Sequence, residues 1–210
     1  NGKIQVLKNK QNEPIWTGPL AIMQNELSAS ASEILAGAMK DYGRAVVIGS
    51  PHSFGKGTVQ TFVELNRFLS SSDDFGALKL TIQKFYRING KSTQLKGIES
   101  DIPMNGLFTY AEIGEKYDTY ALPWDQINTT NFQAVNSVQI PELLKNSQKR
   151  LADNKNYQLW QESAKWRESL DKEEKISLNQ TQFNEVVKKR KAQIERFKVL
   201  TKFNNGLTFS

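Results

Sequence analysis

The sequence has 210 residues, 38% hydrophobic and 24% charged, enough chain for one large core or two small ones. It has no cysteine and one histidine, which excludes disulfides, thiolate nucleophiles and thiolate zinc sites and leaves no imidazole cluster for a metal. The net charge of +6 divides into +3 on residues 1–104 and +3 on residues 105–210. Basicity this diffuse gives no nucleic-acid footprint, and the one cluster, Lys188-Lys189-Arg190-Lys191, sits in a helical pattern where a solvated face is expected.

No apolar run approaches the roughly 20 residues of a spanning helix. The chain starts at Asn1 with no basic-then-apolar leader, so it is expected to be a processed or excised piece. Residues 19–24 (PLAIMQ) and 45–49 (AVVIG) are short apolar runs, and between them residues 30–40 place Ile34, Leu35, Ala38 and Met39 at helical spacing. This pattern predicts a strand, helix, strand unit. Residues 57–65 (GTVQTFVEL) and 77–88 (ALKLTIQKFYRI) predict two longer strands, with polar residues 70–74 as a loop between them. Asn89-Gly90 marks a tight turn.

Composition changes after about residue 104. From Pro141 onward the pattern predicts helices at 142–153, 157–170 and about 181–202. On the last, Phe183, Val186, Val187, Ile194 and Phe197 share one face, as a packing helix requires. The spacing of Trp160, Trp166 and Leu170 predicts core or interdomain contacts.

Two segments could carry chemistry. Ser30 with Glu33 three residues on is a capping box, and that alone would account for the run Ser28-Ala29-Ser30-Ala31-Ser32-Glu33. A serine at a strand-to-helix junction is also placed to act as a nucleophile, with the N–H of Ala31 available to an oxyanion. A triad would have to use Ser30, His52 and Asp41, but the Gly-x-Ser-x-Gly elbow is absent because Ala29 and Ala31 flank the serine. The second segment is Phe54-Gly55-Lys56-Gly57-Thr58-Val59-Gln60. Its glycine spacing fails the phosphate-loop template, and its continuation is strand-like where that template needs a helix. An ordinary solvated lysine in a glycine turn accounts for it, and so does a general base whose amine is neutralised by desolvation.

In order and spacing these segments resemble the tail-specific, or C-terminal processing, serine/lysine proteases. The resemblance rests on residues 28–34 (SASASEI), 41–45 (DYGRA), 54–60 (FGKGTVQ), 81–87 (TIQKFYR) and 90–102 (GKSTQLKGIESDI), with weaker echoes of the Gram-negative type at 122–125 (LPWD) and 141–144 (PELL). It implies Ser30 as nucleophile, Lys56 as general base, Gln60 as the group that orients the lysine, Ala31 as an oxyanion donor and Asp41 in a supporting role. A shared strand would put Lys56 and Gln60 on one face.

The implied fold is the C-terminal part of an α/β protease core over residues 1–104, built from the strand-helix-strand unit and the long strands, followed by an α-helical region over 105–210. The implied activity is endoproteolysis of unfolded or tagged proteins with apolar C-terminal tails. No metal or organic cofactor is implied. The setting is periplasmic, with a periplasmic adaptor as a candidate partner, no nucleic acid and at most peripheral membrane association. The family's PDZ domain and the glycine-rich segment giving the second oxyanion N–H would precede Asn1, so an incomplete active site is expected. Two departures stand out: residues 49–54 are one residue longer than the family form, and Ser100 replaces the usual proline. An inactive binding module of the same architecture is the alternative.

Overall fold

The computed structural model describes residues 5–8, 13–68, 73–106, 108–135, 138–173 and 175–201. Along them run β1 (Ala21–Gln24), α1 (Ala31–Asp41), β2 (Val46–Gly49), β3 (Thr58–Glu64), β4 (Ala77–Lys84), β5 (Ile102–Pro103), α2 (Ile140–Ala152), α3 (Lys155–Asp171) and α4 (Gln180–Phe197). The apolar runs of β1 and β2 pair in parallel, Ala21 opposite Val46, and β5 joins the other edge of β2 with Ile48 opposite Ile102. Parallel neighbours need a crossover, and α1 supplies it. Val46, Val47, Ile98 and Ile102 form the buried centre.

Helical spacing located α1 to within a residue, but its buried side is not the large apolar one. Ala36 and Gly37 are buried, whereas Ile34 and Leu35 are about half exposed. A Cβ on Gly37 would lie 2.9 Å from Ile98 Cδ1, so small residues let the helix sit directly on the core. Asp41 ends α1 and accepts hydrogen bonds from Arg87, with Nε at 2.9 Å, and from Asn89 Nδ2 at 3.0 Å. The pair is largely buried, so removing one partner strands the other. Asp41→Ala should destabilise by about 3–5 kcal/mol, read as a lower denaturant midpoint.

Strands β3 and β4 form an antiparallel hairpin from Thr58 opposite Lys84 to Glu64 opposite Ala77, with a register irregularity between Val59 and Gln60. β4 stops four residues before the end of the predicted run 77–88. Phe85 makes one more backbone bond, to Gly57 O at 3.1 Å, and Arg87 then turns toward Asp41. The predicted turn forms there, closed by Gly90 N to Arg87 O at 2.8 Å. Residues 70–72 of the predicted loop lie outside the described residues.

Pro141 stands in the first turn of α2, where its missing N–H costs nothing. Asn154 and Asn179 cap α3 and α4, accepting from Tyr157 N and Gln182 N. Of the five apolar residues predicted to share a face on α4, Phe197 is buried, against Trp166 at 5.6 Å between rings, while Phe183, Val186 and Ile194 remain substantially exposed. Lys188, Lys189 and Lys191 are exposed, and Arg190 pairs with Glu173. The helices meet the sheet where the Tyr157 hydroxyl accepts from Asn105 N at 3.1 Å. Among the described residues no helix is long and apolar enough to cross a membrane.

Candidate active site

Ser30 closes the loop after β1 and precedes the first residue of α1 with φ 56° and ψ −110°. That backbone lies outside the regions ordinary L-residues populate, and such strain collects where a fold over-determines a functional residue. A sharp strand-to-helix turn is the geometry that presents a serine hydroxyl. Here it is made without elbow glycines. The next N–H, that of Ala31, has no acceptor among the described residues, as expected for the orphan donors of a first helical turn.

Glu33 fixes this turn to the lysine segment. Its side chain is completely buried. Oε2 accepts from Ser30 N at 2.8 Å and from Lys56 N at 2.9 Å, and Oε1 accepts from Gly55 N at 2.7 Å and Ser53 Oγ at 2.5 Å. The Ser30 and Lys56 nitrogens therefore share one oxygen and lie no more than two hydrogen-bond lengths apart. Burial pushes the Glu33 carboxyl above its ordinary range, and the bonds from Ser53, Gly55, Ser30 and Lys56 work against that rise. The capping box is visible in sequence, whereas the bonds to residues 53–56 are not.

The lysine segment is lashed down on its other sides. Phe54 N donates to Ser28 O at 2.9 Å, Leu95 N to Gly55 O at 2.8 Å, and Gly57 N to the buried Gln94 Oε1 at 2.8 Å. Gly55 has φ +92°, and a Cβ there would meet Leu95 C at 2.9 Å. A Cβ on Gly57 would meet Gln94 N at 2.7 Å. Both glycines are thus required by close backbone approach.

Lys56 is partly buried, and Nζ donates to Gln60 Oε1 at 3.2 Å. Lys56 precedes β3 rather than lying on it, and the register irregularity opposite Val59 and Gln60 leaves its extra residue, Ile82, on β4. No hydrogen bond joins Lys56 Nζ to the Ser30 hydroxyl in this structure. His52 makes no hydrogen bond to Ser30 either. The Lys116 ammonium can only donate, so His52 Nε2 accepts from it at 3.4 Å, and Nδ1 carries the proton donated to Ser53 O at 2.9 Å. Asp41 is 11 residues beyond Ser30, about 16 Å along the helix. The triad arrangement of Ser30, His52 and Asp41 is not assembled.

Both departures in sequence have structural roles. Ser100 Oγ donates to Ser50 O at 2.6 Å and accepts from Gln24 Nε2 at 3.1 Å, bonds a proline could not make. Ser53, in the longer loop, both donates to Glu33 and accepts from Ile98 N at 2.7 Å. Residues 122–125 are held by residues 84–94: Leu122 O accepts from Gln94 Nε2 at 3.0 Å, Trp124 Nε1 donates to Ser92 O at 2.9 Å, and Asp125 pairs with Lys84 at 2.9 Å.

Residues 1–104 match the model of peptidase family S41, and residues 108–210 match that of the C-terminal domain of tail specific protease. The chain is 44% identical over 138 residues to the tail-specific protease of Haemophilus influenzae, covering 65% of this chain and 20% of that protein. It is 42% identical over 102 residues to the carboxy-terminal-processing protease of Bartonella bacilliformis, covering 49% and 20%. The solved photosystem II D1 C-terminal processing protease is 32% identical with a TM-score of 0.35, over 41% of this chain and 20% of that one. The chain spans about a fifth of the length of the curated relatives it matches.

Proposed function

The chain belongs to peptidase family S41, and from that premise we propose that it is part of a serine endopeptidase in which Ser30 attacks and Lys56 is the general base. Neutral Lys56 takes the Ser30 hydroxyl proton as Oγ bonds to the peptide carbonyl carbon, and the Ala31 N–H donates to the resulting oxyanion. The C–N bond then breaks, and the Lys56 ammonium returns its proton to the departing amine. Water adds to the acyl ester as Lys56 again accepts a proton, the acyl C–Oγ bond breaks to release the carboxyl product, and Lys56 returns the proton to Ser30 Oγ. Gln60 holds the lysine by its amide oxygen. The chemistry needs neither metal nor organic cofactor.

The observation that carries this reading is the Ser30 turn itself, strained at φ 56° and tied through Glu33 to the Lys56 backbone. The proposal extends to unfolded or tagged polypeptides with apolar C-terminal tails as substrates, a periplasmic setting and an adaptor protein as partner. One observation favours the other reading, an inactive binding module: Lys56 Nζ bonds to Gln60 and not to Ser30. Catalytic hydrogen bonds often tighten only with substrate bound, so activity decides between them.

The test uses the complete parent chain and an unfolded substrate ending in an apolar or a charged tail. Tail-dependent cleavage that is lost in Ser30→Ala and Lys56→Ala and kept in His52→Ala is the expected result. Loss in His52→Ala would return the histidine to the chemistry, and an inert wild type would favour the binding module.

A further inference from the structure

At the C-terminal ends of β1 and β2, between the sheet and the helices, lies a cavity of about 740 Å³. Its volume falls within the ~300–1,000 Å³ of small-ligand sites, and the C-terminal edge of parallel strands is where such sites form. Met23, Ile48 and Met104 line it from the sheet side, and Leu151, Tyr157 and Trp160 from α2 and α3. Among the described residues, Glu26 is the one charged residue in its lining, and no Lys, Arg or His lines it.

Glu26 is 3% exposed. Its Oε2 accepts from Ser50 Oγ at 2.6 Å, and its Oε1 has no partner. Gln24, 8% exposed, is in the same position: Nε2 donates to Ile98 O and Ser100 Oγ, and Oε1 is unpaired. Two acceptors without donors among the described residues, one of them a carboxylate with no described counter-ion, make a costly arrangement inside an apolar wall. The group that relieves it supplies N–H donors and positive charge, and the aromatic residues Tyr157 and Trp160 in the lining are compatible with a cation.

We propose that this cavity takes a primary ammonium or guanidinium group on an apolar stem, the chemistry of a lysine or arginine side chain, with Glu26 as its counter-ion and Gln24 as a second acceptor. Identifying that group as part of the polypeptide substrate rests on the peptidase reading. Ser30 is four positions beyond Glu26, at most about 14 Å of chain. The residue taken thus lies within about four positions of the scissile bond.

Binding tests this without turnover. In the complete chain carrying Ser30→Ala, anisotropy of labelled peptides that differ only by lysine or norleucine at one such position should show the lysine peptide bound about tenfold tighter. Adding Glu26→Gln, which keeps the acceptor for Ser50 but removes the charge, should erase the difference. Equal affinities for the two peptides would overturn the cation site, and a preference that survives Glu26→Gln would overturn the role of Glu26. Binding of n-butylammonium with no lysine preference would overturn the substrate as the source. Each outcome is readable whether or not the wild type cleaves, so failure here is distinct from failure of the peptidase reading.

Discussion

Lys56→Arg in the complete chain should lower kcat/KM by about 10³–10⁴-fold, near the upper range of general-base catalysis, with an unchanged melting temperature. Arginine keeps the charge and approximate length and can still donate to Gln60, so the hairpin and the lysine loop lose nothing they are built on. A guanidinium does not give up its proton near neutrality. An arginine therefore supplies a positive charge but no base. Retention of most of the activity by this variant would mean that Lys56 contributes only its charge, and the proton would have to go elsewhere.

Glu33→Ala should remove both activity and a large part of the stability. The carboxylate serves four donors, Ser30 N, Ser53 Oγ, Gly55 N and Lys56 N, in a fully buried position. Leaving a buried donor unmade costs about 1–3 kcal/mol, so the loss should reach about 3 kcal/mol or more, against a total of roughly 5–15 for a domain. Of the described bonds between the two segments, Phe54 N to Ser28 O would remain; it holds neither Ser30 nor Lys56 itself, so the strained backbone should relax. Glu33→Gln should recover part of both properties, since its amide oxygen still accepts while its NH₂ faces a donor. Thermal unfolding and cleavage of the complete chain check this. An alanine variant with unchanged melting temperature and activity would show that the cross-brace has no role in holding the site.

The strand, helix, strand unit was legible because each of its parts carries its own periodicity within about ten residues. What α1 buries was not, since Ile34 and Leu35 look like the core face and it is Ala36 and Gly37 that meet Ile98. Spacing alone left Ser30 and Lys56 as a capping serine and a turn lysine. Their pairing came from the family resemblance, and the structure adds that their backbones share Glu33. In sequence that carboxylate is a local cap, because a bond reaching from residue 33 to residues 53–56 leaves no periodic trace. One signal was available: Glu33 is followed by six uncharged residues, Ile34 to Met39, so it is the single charge in the first two turns of the helix. The exposed apolar side of α4 shows the same limit from the other direction, since periodicity gives a face without saying what covers it.

Covalent capture tests the central claim most directly. The complete chain is treated with a fluorophosphonate, and the modified residue is located by peptide mass spectrometry in the wild type and in Lys56→Ala. A single adduct on Ser30, lost or strongly slowed without Lys56, is the result expected of a lysine-activated serine. An adduct on Ser30 that forms equally well in Lys56→Ala, or no adduct on Ser30 in the wild type, would contradict it.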